Sequence, residues 1–202
     1  MQTNSRWTVR DLVYIGLFGA LWGAMEMTLG DLFHTLKVPF TGTLMAALGI
    51  GIALIGRRFV PKRGSILMIA LVTGLLKFLS PSGSSVLRVF ISILIEGAIA
   101  EGVLTLLPVG LGSWMLANAL ATLWTLLHSF FITGLLFGEG AVEMFVIVVE
   151  RGAKILGLNP EAVVLGAILL ALLYMGMGAV AGALAWSVGK IVYERLRPKD
   201  VV

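Results

Sequence analysis

Six apolar stretches, over residues 12–33, 38–56, 64–79, 87–108, 112–138 and 163–190, alternate along the chain with short segments marked by charge, Gly or Pro. A run of about 20 apolar residues crosses a hydrocarbon core roughly 30 Å thick as an α-helix, which satisfies every backbone polar group internally. The pattern therefore predicts an all-α integral membrane protein, a six-transmembrane-helix bundle forming a single transmembrane domain over 1–202. The third stretch is short for a crossing and calls for local thinning of the bilayer or an upright helix. No internal repeat or inverted symmetry accompanies the pattern.

Composition agrees with this picture and narrows it. The 202 residues are 58% hydrophobic and 13% charged, with a mean hydropathy of +1.00, whereas an ordinary soluble domain is about a quarter charged. Six helices of that length leave no space for a separate soluble domain, hence none for a built-in ATPase. The absence of cysteine excludes a disulfide framework, a thiolate metal site and a cysteine nucleophile. Neither His34 nor His128 stands in a His-Glu-x-x-His run, so no metal site or cofactor is expected in this chain. The apolar stretch near the N-terminus is too long for a signal-peptide core and lacks a cleavage-like site, so it is expected to be retained.

The net charge of +4 acquires meaning once it is sorted along the helices. Arg6, Arg10, Arg57, Arg58, Lys62, Arg63, Lys190, Arg195, Arg197 and Lys199, ten of the fifteen Lys and Arg, fall on one side of the alternating spans. The positive-inside rule assigns that side to the cytoplasm. Both termini are then cytoplasmic, and the basic excess speaks for membrane orientation rather than for nucleic acid.

The opposite side receives Lys37, the turn from Ser80 to Ser85 and the segment from Glu139 to Glu161. Within that segment Phe145, Val146, Val148, Val149, Gly152, Ile155 and Leu156 share one helical face, and Glu143, Glu150, Arg151 and Lys154 share the other. This is the pattern of an amphipathic external helix between helices 5 and 6 lying on the membrane surface. It serves either as a plain connector or as a lid over an outward-facing site.

Chemistry inside the membrane is confined to few residues. Trp22 and Glu26 are one turn apart on the first span, and Trp124 and His128 repeat the spacing on the fifth. The third span contributes Lys77 and the fourth contributes Glu96, with Asp31, His34 and Arg88 nearer the rim. By the rise of about 1.5 Å per residue, these groups share the outer half of the bilayer. A carboxylate at that depth is costly unless paired, hydrated or neutral, which makes it a functional candidate. Indoles that stack on a ring, with a carboxylate favouring an amine or a cation, suit a small heterocycle. Glu101 is five residues beyond Glu96, about 140° around a helix, and is assigned a structural or coupling role. A pore is not expected, because the inner half lacks rings of like groups or a continuous polar stripe.

On the first span Gly16, Ala20 and Ala24 repeat every four residues, beside a second row of Gly19 and Gly23. Small residues at this spacing let another helix approach closely, either within the bundle or from a partner. Together, the helix count, the cytoplasmic termini, the Ala20-x-x-x-Ala24 pair and an outward pocket resemble the S components of energy-coupling factor transporters. That resemblance implies capture of a vitamin or precursor at Trp22, Glu26, Lys77, Glu96, Trp124 and His128. It implies docking through Gly16, Ala20 and Ala24 on a transmembrane T component, whose ATPase subunits use ATP, in the inner (cytoplasmic) membrane. The Trp, His and Glu content is loosely similar to that of thiamine-type binders. The N-terminus, Met1-Gln2-Thr3, lacks the Met-His site of the nickel and cobalt relatives, so no metal cargo is expected. Two other readings stay open: an intramembrane enzyme or accessory subunit using Glu26, Asp31, His34, Glu96 or His128 on a lipid-like substrate, and a purely structural membrane protein.

Overall fold

A computed structural model describes residues 6–79, 86–137 and 163–196 of the chain, with Glu143, Val146, Glu150, Lys154 and Gly157 between them. The side chains of His34 and of residues 129–137 and 163–164 fall outside that description. Thr8 opens the first helix with a capping box. Its hydroxyl accepts from Asp11 N at 3.2 Å, and its own N–H donates to the Asp11 carboxylate at 2.8 Å. Helix α1 (Val9–Met25) then passes without a break through a π-helical turn, Glu26–Gly30, into the short α2 (Asp31–Thr35). It is followed by α3 (Thr41–Phe59), α4 (Ser65–Lys77), α5 (Val86–Leu106), α6 (Leu111–Phe137) and α7 (Val163–Leu196).

Helices thus occupy all six apolar stretches, but the six-transmembrane-helix bundle is corrected. Among the described residues four helical segments are long and apolar enough to cross a membrane: Val9–Phe33, Thr41–Phe59, Val86–Leu106 and Leu165–Leu196. The segment expected over 64–79 condenses to the 13 residues of α4, about 20 Å of helix at 1.5 Å per residue and short of the roughly 30 Å required. The one over 112–138 forms the 27-residue α6, which is long enough, but its side chains are described only as far as His128, and within that part it does not join the four. Within that part Asn118 donates to Ala47 O of α3 at 3.0 Å and Thr122 to Tyr174 O of α7 at 3.0 Å, and both residues are fully buried. The chain is a multi-pass helical membrane protein with four such segments among its described residues.

Helices pack through small residues, as expected where lipid removes the hydrophobic drive between them. On α1 the Gly19 and Gly23 row faces α4: an added Cβ at Gly19 would lie 2.7 Å from Val72 Cβ, and one at Gly23 3.0 Å from Leu76. The Thr73 hydroxyl seals this contact by donating to Gly19 O at 3.0 Å. Between α6 and α7 a Cβ at Gly182 would come within 2.6 Å of Trp114 O, so the two backbones touch. α3 runs through the middle, and its Ile50, Ala53 and Leu54 are fully buried.

The two ends of the bundle differ. At one, Lys62 donates to Arg6 O and pairs with Asp11 at 2.6 Å, while the Arg58 guanidinium lies 5.2 Å and 4.3 Å from the rings of Trp114 and Trp186. Phe59 meets Tyr193 of α7 edge-on at 5.3 Å. The start of α1, the end of α3, the start of α4 and α6 and the end of α7 therefore gather at this basic end.

Of the 139–161 segment, Glu143, Val146, Glu150 and Lys154 are helical and exposed, and Gly157 turns with φ 69°. The rest of the expected amphipathic face, and the turn from Ser80 to Ser85, lie outside the described residues.

Candidate functional site

At the end of the bundle away from the basic cluster, α1, α3, α4, α5 and α6 surround a cavity of about 220 Å³. Each element reaches it through residues set by its direction. The π-helical turn presents Glu26 and Gly30, α3 presents Thr41, Gly42, Met45 and Ala46 from its first turns, and α4 ends in Lys77. α5 lines it with Val89, Ser92, Ile93 and Glu96, and α6 with Thr125 and His128. A π turn inside an α-helix is widened by closing on the fifth residue and is frequent at functional sites. Here it brings Glu26 and Gly30 to one wall.

Glu26, Lys77 and Glu96 are all buried. The Lys77 ammonium donates to the main-chain oxygen of Glu26 at 3.3 Å and stands 3.8 Å from the Asp31 carboxylate. Glu96 accepts at 2.7 Å from Ser92, one turn earlier on α5. His128 Nε2 lies 3.2 Å from the main-chain oxygen of Arg88, which ties α6 to the first turn of α5. Thr125 and Thr43 share a hydroxyl contact at 3.2 Å. At the rim the α2–α3 turn contains two non-glycine residues in the left-handed region, Lys37 at φ 52° and Phe40 at φ 60°. Such positions cost about 1–3 kcal/mol and hold only where packing determines them. Phe40 is held by an edge-on contact with Tyr174 at 5.7 Å, and it starts the helix that brings Thr41 to the cavity.

Four of the six residues expected to bind substrate, Glu26, Lys77, Glu96 and His128, are thus brought together around one space. Trp22 and Trp124 are not among its lining. Trp22 is fully enclosed, packed so closely on α3 that a Cβ at Gly49 would collide with its indole. Trp124 stands behind His128, with ring centroids 6.1 Å apart and the rings edge to face. Of the rim residues, Asp31 pairs with Lys77 and Arg88 offers its carbonyl to His128, while the side chain of His34 is outside the described residues. Glu101 is remote from the cavity. It is 3.3 Å from Arg57, accepts from Ile66 N at 3.0 Å and thereby caps α4.

Thr41, Met45, Ala46, Ser92 and Thr125 were not marked by the sequence pattern. Ser92 could have been found from its position four residues before Glu96, since a buried carboxylate needs a donor and the preceding turn is the nearest source. Thr125 bonds to Thr43 and to Thr122 O rather than to His128, so no such signal marks it. Met45 and Ala46 have no signal in an apolar helix.

Between the cavity and the basic end, Trp22, Ile50, Ala53, Leu54 and Thr73 form a fully buried layer. Among the described residues no group of three or more His, Asp or Glu could hold a metal ion. On α1 the Gly16, Ala20 and Ala24 row points away from α4: Ala20 and Ala24 are exposed, and a Cβ at Gly16 would meet nothing within 4 Å. Neither protein-family models, curated proteins nor solved structures give a match to this chain. Its class is that of a multi-pass helical membrane protein with a polar cavity near one end.

Proposed function

We propose that this chain is the substrate-capture subunit of an importer of the energy-coupling factor type. It takes a vitamin or related small heterocycle from outside and delivers it inward together with a T component and ATPase subunits. The observation that carries the reading is the cavity. It gathers ionisable and hydroxyl groups from five elements, a cost that a membrane protein bears where a ligand compensates it, and packed side chains close it toward the basic end. The basic end is the cytoplasmic one by the positive-inside rule, which makes the cavity outward-facing in the inner membrane. Two features of α1 support a partner. Gly19 and Gly23 supply its packing within the bundle, and the Gly16, Ala20 and Ala24 row remains on the outside for a second protein. ATP is used by that partner assembly, not by this chain.

Gentle purification followed by native mass spectrometry and copurification tests the reading. A vitamin-sized heterocycle on the chain, with a transmembrane partner and ATPases recovered alongside, is the expected result. Turnover of a lipid-like substrate by the chain alone would replace it with the enzyme reading. Glu26→Gln and Trp124→Ala are expected to weaken ligand binding without preventing folding, and unchanged affinity in both would remove the cavity from the argument.

A further inference from the structure

The charges around the cavity do not balance. Glu26 and Glu96 contribute two carboxylates to its wall. The lining contributes one ammonium, Lys77, which is shared with a third carboxylate, Asp31, at 3.8 Å, and one imidazole, His128, whose Nε2 is engaged by the Arg88 main-chain oxygen at 3.2 Å. Ser92 gives Glu96 one neutral donor, which orients the side chain but supplies no positive charge. At this depth in a membrane protein, a buried carboxylate is expensive unless a proton or a cation meets it. The cavity is also small: its 220 Å³ falls below the roughly 300 Å³ at which pockets for drug-sized ligands begin. Met45 and Ile93 on the same walls offer apolar surface to the body of a ligand.

From this balance we infer that the cavity selects a compact organic cation, a single ring or a chain of similar size, whose N–H groups are shared between Glu26 of the π-helical turn and Glu96 of α5. The inference rests on the cavity being a capture site and names the class of its cargo. Lys77 then acts as an internal counter-charge, and the carboxyl groups of Glu26, Glu96 and Asp31 still outnumber it when the ligand arrives. Gly30 marks the wall beside Glu26: a Cβ there would sit 3.6 Å from Glu26 Oε2 and 3.8 Å from Met45 Sδ, ordinary contact that takes space from the cavity without a clash.

The test uses the purified full chain in nanodiscs and three probes of nearly equal shape: benzamidine as the cation, benzamide as its neutral counterpart and benzoate as the anion. Calorimetry is expected to show benzamidine bound at least about tenfold more tightly than either of the others, the size of effect that a charged hydrogen bond supplies. Glu26→Gln and Glu96→Gln should each reduce benzamidine affinity by about tenfold or more and together abolish the preference over benzamide. Gly30→Ala, which leaves every charge in place, should weaken all binding through lost space. Benzamide or benzoate bound as tightly as benzamidine overturns the inference, as does a preference that survives both Gln substitutions. Lack of saturable benzamidine binding overturns it as well. None of these outcomes touches copurification with a T component and ATPases, so the cargo class can fail while the capture-subunit reading stands.

Discussion

Lys77, the last residue of α4, reaches across to α1, where its ammonium donates to the main-chain oxygen of Glu26 at 3.3 Å. This contact joins a helix too short to cross the membrane to the π-helical turn that aims Glu26 into the cavity. Lys77 is buried, while the Asp31 side chain beside it is 45% exposed. Lys77→Met therefore leaves behind a carboxylate that water can reach, and the loss of stability is expected to be about 1–3 kcal/mol, below the usual cost of breaking a fully buried pair. Thermal unfolding of the variant in detergent measures it. A drop no larger than that of an exposed control such as Lys190→Met would show that the tie to Glu26 contributes nothing.

The two small-residue rows of α1 predict opposite consequences for bulky replacements. Gly19→Val places a side chain where even Cβ would be 2.7 Å from Val72, so α1 and α4 must separate, at about 1–3 kcal/mol or more. Ala24→Trp extends from an exposed position and is expected to leave stability within about 0.5 kcal/mol. Ligand binding should remain, and uptake in cells expressing the complete transporter should stop, because the docking row is filled. Retained uptake in the Ala24→Trp variant would count against the partner assignment.

Helix positions were legible because apolar runs bounded by charge, Gly or Pro depend on local sequence. Two things were not legible: that the stretch over 64–79 yields only the 13 residues of α4, and where the polar side chains within the spans find partners. Asn118 reads as one polar residue in a long apolar run, yet it is fully buried and donates to Ala47 O of α3 at 3.0 Å. Within the cavity, charged residues announced themselves by their cost in a membrane, and Glu26, Lys77, Glu96 and His128 were found on that ground. The aromatic partners could not be placed in the same way. Trp22 shares a side of α1 with Glu26, but its position depends on Gly49 of a different helix, a contact that no spacing on α1 encodes.

That distinction makes the two tryptophans separable by experiment. Trp22→Ala empties a fully enclosed site between α1 and α3 and is expected to cost about 3–5 kcal/mol. Trp124→Ala removes the ring standing edge-on to His128, 6.1 Å away, and leaves that imidazole less constrained. Unfolding curves for both, with affinities measured well below each midpoint, should show the larger stability loss at Trp22 and the larger change in ligand affinity at Trp124. The reverse order would place the Trp22 indole in the binding machinery.

Glu96 and Glu101 are both buried carboxylates on α5, and their surroundings assign them different work. Glu101 faces Arg57 at 3.3 Å and takes the Ile66 N–H at 3.0 Å, and Arg57 in turn donates to Ser65 at 3.1 Å. Three helices are thus joined through one carboxylate at the basic end. Glu101→Ala strands the buried Arg57 guanidinium and uncaps α4, with an expected loss of about 3–5 kcal/mol. Its effect on cavity affinity should be small, since the closed layer around Trp22 and Ile50 intervenes. Glu96→Gln keeps the shape and the contact with Ser92 while removing the charge, so it should lose affinity for a cationic ligand and little stability. Measuring unfolding and ligand affinity on both variants separates the two roles, and an affinity loss at Glu101→Ala equal to that at Glu96→Gln would mean that the two ends of α5 are coupled through the core.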